Sequence, residues 1–449
     1  MTQDHRALAA LRREFSDWRL WLTRVVLIAM AAVAGLTVVA FTWLGEQAFH
    51  GFGRVQAWGW WAPLVWMPLC TAAIAWATRR FAPGAAGSGI PQVMASLEAA
   101  VEPAQRRLFV SLRLSIAKFF LTALGLLAGL SLGREGPSVQ IAAGVMHWAR
   151  RLLPAGSAVT PQGLLVAGGA AGIAAAFNTP LAGVVFAIEE LSRRPEQRSS
   201  GLIVAGIVIS GLMAVSVYGN ATYFGVIHVP QVGWSLLLPG LLVALASGVA
   251  GGLFARLLLA SLAGAGRDAL SSLRRRQPVV FAALCGGLVA LIGVVTQGAT
   301  YGSGYAQTRH LIDTNEGLGP AYVLFKFIAT WLTTWSGVPA GIFAPSLAIG
   351  AALGHDVALL LHYPQAATLI ALGMAGFLAA ATQAPLTAFI IVMEMVDGHA
   401  MVLSLMATAL IASGVSRLLG RPLYGQLAQL QLKRLPPATA AARPPEQPG

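Results

Sequence analysis

Apolar stretches of a length that lipid, rather than water, accommodates recur from one end of this chain to the other. Trp21–Trp43, Trp58–Thr78, Leu202–Val217, Trp234–Phe254, Val279–Val295, Ala366–Ala381 and Met401–Val415 carry a single charged residue between them, Arg24. A helix needs roughly 20 apolar residues to cross about 30 Å of hydrocarbon. Several runs reach that length and others fall short. With 56% hydrophobic and only 10% charged residues, the 449-residue chain has too little polar surface for several soluble domains. It is therefore expected to be an all-α membrane protein that crosses the bilayer many times.

The net charge of +13 does not point to nucleic acid, because the basic residues flank the spans. They cluster at Arg12, Arg13, Arg19 and Arg24, at Arg79 and Arg80, Arg106 and Arg107, Arg193, Arg194 and Arg198, Arg274 to Arg276, and Arg417 to Arg434. The loop from Gly219 to Gly233 holds no Asp, Glu, Lys or Arg. By the positive-inside rule both termini and the Arg-rich loops face the cytoplasm and the uncharged loop faces out. The rule leaves Arg150 and Arg151 unassigned.

The N-terminal segment is charged, lacks a signal-type cleavage site, and reads as an amphipathic surface helix over 1–20, with Leu8, Leu11, Phe15 and Trp18 at helical spacing. Residues 21–220 and 221–430 read as two membrane repeats. Residues 431–449, rich in Pro and Ala beyond Leu435, read as a disordered cytoplasmic tail with no soluble module after the membrane part. Cys70 and Cys285 lie in apolar runs, as packed thiols do. The histidines show no ligand spacing, so neither a metal nor a cofactor is expected.

The chain also resembles itself. AGIAAAFNTPLAGVVFAIEE (Ala171–Glu190) matches AGFLAAATQAPLTAFIIVMEM (Ala375–Met395), with Pro180 opposite Pro385, Glu189 opposite Glu394, and Glu190 opposite Met395. Upstream, GREGPSVQIAAG (Gly133–Gly144) matches GIFAPSLAIGAALG (Gly341–Gly354), with Pro137 opposite Pro345. The spacing is kept too: 43 residues from Pro137 to Pro180, and 40 from Pro345 to Pro385. Duplicated membrane units commonly enclose one pathway, in parallel or inverted orientation.

Three peptides share an unusual form: GSGIP (Gly87, Ser88, Gly89, Ile90, Pro91), GREGP (Gly133, Arg134, Glu135, Gly136, Pro137) and GIFAP (Gly341, Ile342, Phe343, Ala344, Pro345). Each places flexible glycine before a proline in the first turn of an apolar helix, where the missing N–H costs nothing. Such helix starts inside the membrane must line a cavity. Each offers free N–H groups and about half a positive charge. Three converging starts would hold a small anion without a buried Lys or Arg, and fractional charge permits release as well as binding.

GSGIP, GREGP and GIFAP in this order, followed by GRPLYG, resemble the signature of CLC chloride channels and transporters, over the chain from the first span to Tyr424. The resemblance implies two inverted repeats of tilted and half-crossing helices, and a homodimer with one pathway per subunit in the bacterial inner membrane. Carried over by motif, Ser88 and Tyr424 would offer hydroxyls to a central chloride, with the N–H groups of Ile342 and Phe343 completing the site. Serine rather than proline at position 88 goes with chloride rather than nitrate, and the pattern of fluoride exporters is absent. Gln92 departs from the Glu that many relatives carry, and little consequence is expected of it.

Glu135, at a helix start, matches the family's gating glutamate. Ionised, it mimics an anion and occupies the pathway; protonated, it withdraws. Glu190 matches the internal proton-transfer glutamate, while Glu189, which has Glu394 as counterpart, reads as structural. Lys118 and Lys326, each before a Phe, receive no direct role; pairing with carboxylates, a field that helps draw anions, and snorkelling are all open to them. The expected activity is chloride/proton exchange, with a passive chloride channel as the alternative. An enzyme is not expected, because an intramembrane hydrolase would need a nucleophile and base, and no Ser/His or paired-Asp arrangement accompanies Ser88.

Overall fold

The computed structural model describes residues 18–157, 159–191, 200–219, 222–227, 233–264, 266, 268–319 and 321–435. The expected N-terminal amphipathic segment up to residue 17, the Arg193, Arg194 and Arg198 cluster, and the tail beyond Leu435 lie outside them. Among the described residues there are 19 α-helices and no strand beyond two isolated backbone bridges.

The first half comprises α1 (Trp18–Gln56), α2 (Ala62–Phe81), α3 (Ile90–Leu97), α4 (Pro103–Arg106), α5 (Leu112–Leu127), α6 (Glu135–Trp148), α7 (Pro161–Phe177), α8 (Pro180–Phe186) and α9 (Ser200–Tyr218). The second comprises α10 (Leu237–Ala263), α11 (Ala269–Arg276), α12 (Pro278–Val295), α13 (Tyr305–Thr314), α14 (Tyr322–Trp335) and α15 (Phe343–Leu360). It continues with α16 (Ala366–Thr382), α17 (Pro385–Met395), α18 (Val402–Leu419) and α19 (Leu423–Leu432).

Local sequence sets the boundaries. Proline opens α7, α8, α12 and α17, and Thr160 caps α7 by accepting the Gly163 N–H at 3.0 Å. Asn178 and Gln383, each two residues before the proline of the next helix, end α7 and α16 with positive φ of 58° and 62°. Lengths vary as a fold of tilted and half-crossing helices requires. At 1.5 Å per residue the 39 residues of α1 extend about 58 Å, far beyond about 30 Å of hydrocarbon, so α1 must tilt. The eight residues of α3 reach only about 12 Å.

The two halves are counterparts in space. Helices α7 and α16 are buried along almost their whole length. Each packs on the helix that opens with its repeat's Gly-Pro motif. Gly350 and Gly373 face each other so closely that a methyl on either would strike the other's carbonyl. At the seam between the repeats the contacts are exchanged. The Glu189 carboxylate accepts the Leu386 and Thr387 N–H groups at the start of α17, at 3.0 and 2.7 Å. Glu394 accepts those of Leu181 and Ala182 at the start of α8, at 3.2 and 2.7 Å. Each repeat thus caps a helix of the other.

Candidate functional site: an anion cavity at three helix starts

The three motif loops are joined by backbone hydrogen bonds. Gly87 N–H donates to Val338 O and Ala340 N–H to Gly87 O, both at 3.1 Å, which joins GSGIP to the residues preceding GIFAP. Gly133 and Gly341 exchange a pair of bonds at 2.8 and 3.1 Å, joining GREGP to GIFAP. The approach leaves no room for side chains. A Cβ on Gly341 would lie 2.9 Å from Pro137 Cδ, one on Gly133 would lie 3.1 Å from Pro345 Cδ, and one on Gly136 would collide with the Ser88 hydroxyl. Gly87 and Gly89 have φ of 73° and 109°, which suits glycine alone.

Helices α3, α6 and α15 therefore start at one place, with Ile90 and Pro91, Gly136 and Pro137, and Ala344 and Pro345 in their first turns and Ile342 capping α15. The first N–H groups of a helix have no intrahelical partner. Tyr424, the second residue of α19, lies beside Ser88 and packs on Phe343 with ring centroids 6.0 Å apart. Both hydroxyls are buried, and neither makes a hydrogen bond of ordinary geometry with the protein. Buried polar atoms are normally satisfied. These two are left free to donate to an anion. Ser88, Ile342 and Tyr424 line a cavity of about 130 Å³, which opens into one of about 800 Å³ lined by Arg79, Arg274, Arg275 and Arg434. No ion pair among the described residues neutralises these four arginines.

Glu135 lies between the GREGP and GIFAP helix starts. It is 1% exposed, and its Oε2 accepts the Ala344 N–H at the start of α15 at 3.4 Å. The following residue, Gly136, touches Ser88, whereas the preceding one, Arg134, opens onto a different cavity of about 490 Å³. Arg134 does not line the Ser88 cavity. Its guanidinium donates to Thr42 O at 2.7 Å, to Glu46 at 3.1 Å and to the Tyr223 hydroxyl at 3.2 Å. Glu190 is half-buried on a widened helical turn, Ala187–Leu191, next to the exchanged cap of Glu189. Tyr424 lies within electrostatic reach of both Glu190 and Glu135.

Sequence reasoning missed several parts of this site. Lys118 and Lys326 neither pair with carboxylates nor snorkel. Both are fully buried. Lys118 Nζ donates to the carbonyls of Ala85 and Gly87 at 2.8 and 2.5 Å, holding the loop that carries Ser88. Lys326 Nζ donates to Thr300 and Gly302 at 3.0 and 2.7 Å. Residues Gly302, Ser303 and Gly304 repeat the GSG of Gly87–Gly89, and Ser303 and Gly304 line the Arg134 cavity. Equivalent loops of the two repeats thus border two different cavities. Both signals were in the chain: the second GSG, and a lysine 19 residues before Pro137 and again before Pro345. Gln92 is also not idle. Its Oε1 accepts the Gly89 N–H at 3.0 Å and its Nε2 donates to Ala86 O at 2.5 Å.

Comparison with known proteins agrees with this geometry. The family model described as voltage gated chloride channel matches residues 69–417. The H(+)/Cl(-) exchange transporter ClcA of Cronobacter sakazakii is 32% identical, over 94% of this chain and 92% of that protein. Its namesake from Vibrio parahaemolyticus is 34% identical over 79% and 76%. Among solved structures, a slow cyanobacterial Cl-/H+ antiporter superposes with a TM-score of 0.80 at 24% identity, covering 92% of this chain and 98% of the other. A CLC-type fluoride/proton antiporter gives 0.74 at 21% identity, over 92% and 99%. At those identities the two structures speak for the fold alone. Joined helix starts, an inverted pair of repeats and a family match across most of the chain lead to one assignment: the protein belongs to the voltage gated chloride channel, or CLC, family.

Proposed function

We propose that this protein is a secondary active antiporter that exchanges chloride for protons. The observation that carries the reading is the pair of orphaned buried hydroxyls, Ser88 and Tyr424, at three convergent helix starts, with the Glu135 carboxylate beside them. The names of the ClcA relatives support it. Chloride is held at the Ser88 cavity by these hydroxyls and by the N–H groups of Ile342 and Phe343. An ionised Glu135 accepts from the start of α15 and so stands in an anion's place. Protonation removes the charge that holds it there, and chloride follows. Glu190 exchanges protons with the other side, and Tyr424 lies within electrostatic reach of both glutamates.

The basic cavity of Arg79, Arg274, Arg275 and Arg434 faces the cytoplasm in this reading, as do both termini, and the Arg134 cavity faces out. Arg150 joins the cytoplasmic set, because it sits within electrostatic reach of Arg106. The protein works in a bacterial inner membrane as a homodimer with one pathway per subunit. Residues 21–220 and 221–430 form the two repeats, flanked by cytoplasmic segments 1–20 and 431–449.

Chloride efflux from proteoliposomes with simultaneous pH recording tests this. A chloride gradient should drive protons uphill. Glu135→Ala and Glu190→Gln should abolish proton movement and leave chloride flux. Chloride flux without any proton movement in the unmodified protein would convert the reading to a passive channel.

A further inference from the structure

An apolar groove of about 530 Å³ lies where α1, α5 and α6 meet. Val33 and Thr37 of α1, Leu112 and Ile116 of α5, and Val145 and Trp148 of α6 line it. The hydroxyls that line it are already used: that of Thr37 bonds Val33 O at 2.7 Å, and that of Ser115 bonds Ile141 O at 3.1 Å. From Leu112 to Phe120 the groove follows α5 for about 12 Å, close to the depth of one leaflet, about 15 Å.

One end of the groove, at Leu112 and Trp148, meets a group of cations. Arg106, Arg107 and Arg150 all lie within electrostatic reach of His147, the residue before Trp148. No ion pair among the described residues involves any of the four. Arg106 is only 8% exposed and its Nε has no partner; nor does the buried Nδ1 of His147. Like charges gathered at a low-dielectric boundary are unfavourable unless an anion joins them. A soluble anion would leave the groove uncovered, and a neutral lipid would leave the cations uncompensated.

We propose that α1, α5 and α6 form a binding site for one anionic phospholipid per chain, its phosphate held by Arg106, Arg107 and Arg150 and an acyl chain in the groove. The site is independent of the anion pathway, although it lies against α6, the helix that starts at Glu135.

Native mass spectrometry of the delipidated full-length protein tests this with two probes, dioleoylphosphatidylglycerol and dioleoylphosphatidylcholine. The unmodified protein should retain the glycerol lipid about tenfold more, as expected for a few arginines at an anionic headgroup. The double substitution Arg107→Gln/Arg150→Gln, at two exposed positions, should remove that preference. Ile116→Trp, which fills the groove and spares the cations, should lower retention of both lipids. Equal retention of the two lipids by the unmodified protein, or unchanged retention in both variants, overturns the proposal. So does complete displacement of the glycerol lipid by millimolar inorganic phosphate, which would make this a site for a soluble anion.

Discussion

Replacing Glu394 by Gln tests whether the exchanged caps hold the two repeats together. The carboxylate accepts two N–H groups at the start of α8, at 3.2 and 2.7 Å. A hydrogen bond to a charged group contributes about 1.5–3 kcal/mol, so the pair is worth about 3–6 kcal/mol in gross terms. Glu394 is half-buried, so water re-solvates the released N–H groups and a glutamine oxygen keeps one bond. A loss of about 1.5–3 kcal/mol is therefore expected. Glu189→Gln should cost a similar amount, because Glu189 makes the same bonds to α17 at 3.0 and 2.7 Å. The caps meet at one seam between α8 and α17, so the double variant should depart from the sum of the single losses. The assay is reversible unfolding of the detergent-solubilised protein in chloride-free buffer, which removes ligand stabilisation from the comparison. Single variants within about 0.5 kcal/mol of the unmodified protein would refute the reasoning, because surface changes commonly stay inside that range.

Lys118→Met should destabilise the fold by about 1–3 kcal/mol, since it strands the buried Ala85 carbonyl and leaves Gly87 O with only the Ala340 N–H; chloride titration calorimetry should also show weaker binding, because the Ser88 loop loses its tie. Ser88→Ala should leave chloride-free stability within about 0.5 kcal/mol, as the hydroxyl makes no hydrogen bond of ordinary geometry with the protein, while weakening chloride binding by about tenfold or more in the same calorimetric titration. Gln92→Glu keeps the acceptor for Gly89 N–H but loses the donor to Ala86 O, so a loss of about 1–3 kcal/mol in thermal or chemical unfolding is expected.

The sequence carried the fold to the extent that its punctuation was local. Proline after glycine marked the starts of α3, α6 and α15, and the matched Pro180 and Pro385 marked α8 and α17, because N1 proline acts within one turn. Contacts between distant residues were less legible. Nothing in GREGP by itself says that the Arg134 side chain turns away from the Ser88 cavity toward Thr42 and Glu46, because that direction depends on the course of α1. The roles of Lys118 and Lys326 were hidden for a different reason. A lysine in an apolar run suggests a carboxylate partner, but here main-chain carbonyls of irregular loops take that place. Glu189 read as structural from its symmetric counterpart alone; its partners across the seam needed coordinates.

The crossed carboxylates at that seam have the form of an isologous contact, in which residue i of one unit meets residue j of the other and the reverse also holds. The halves of this chain relate to each other as the subunits of a two-fold dimer do, with the connecting segment making permanent what would otherwise be an association. Such an arrangement gives each half a counterpart of the other's loops and helix starts. Directional chemistry must then come from positions where the halves differ, and Glu190, aligned with Met395 of the other repeat, is one of them.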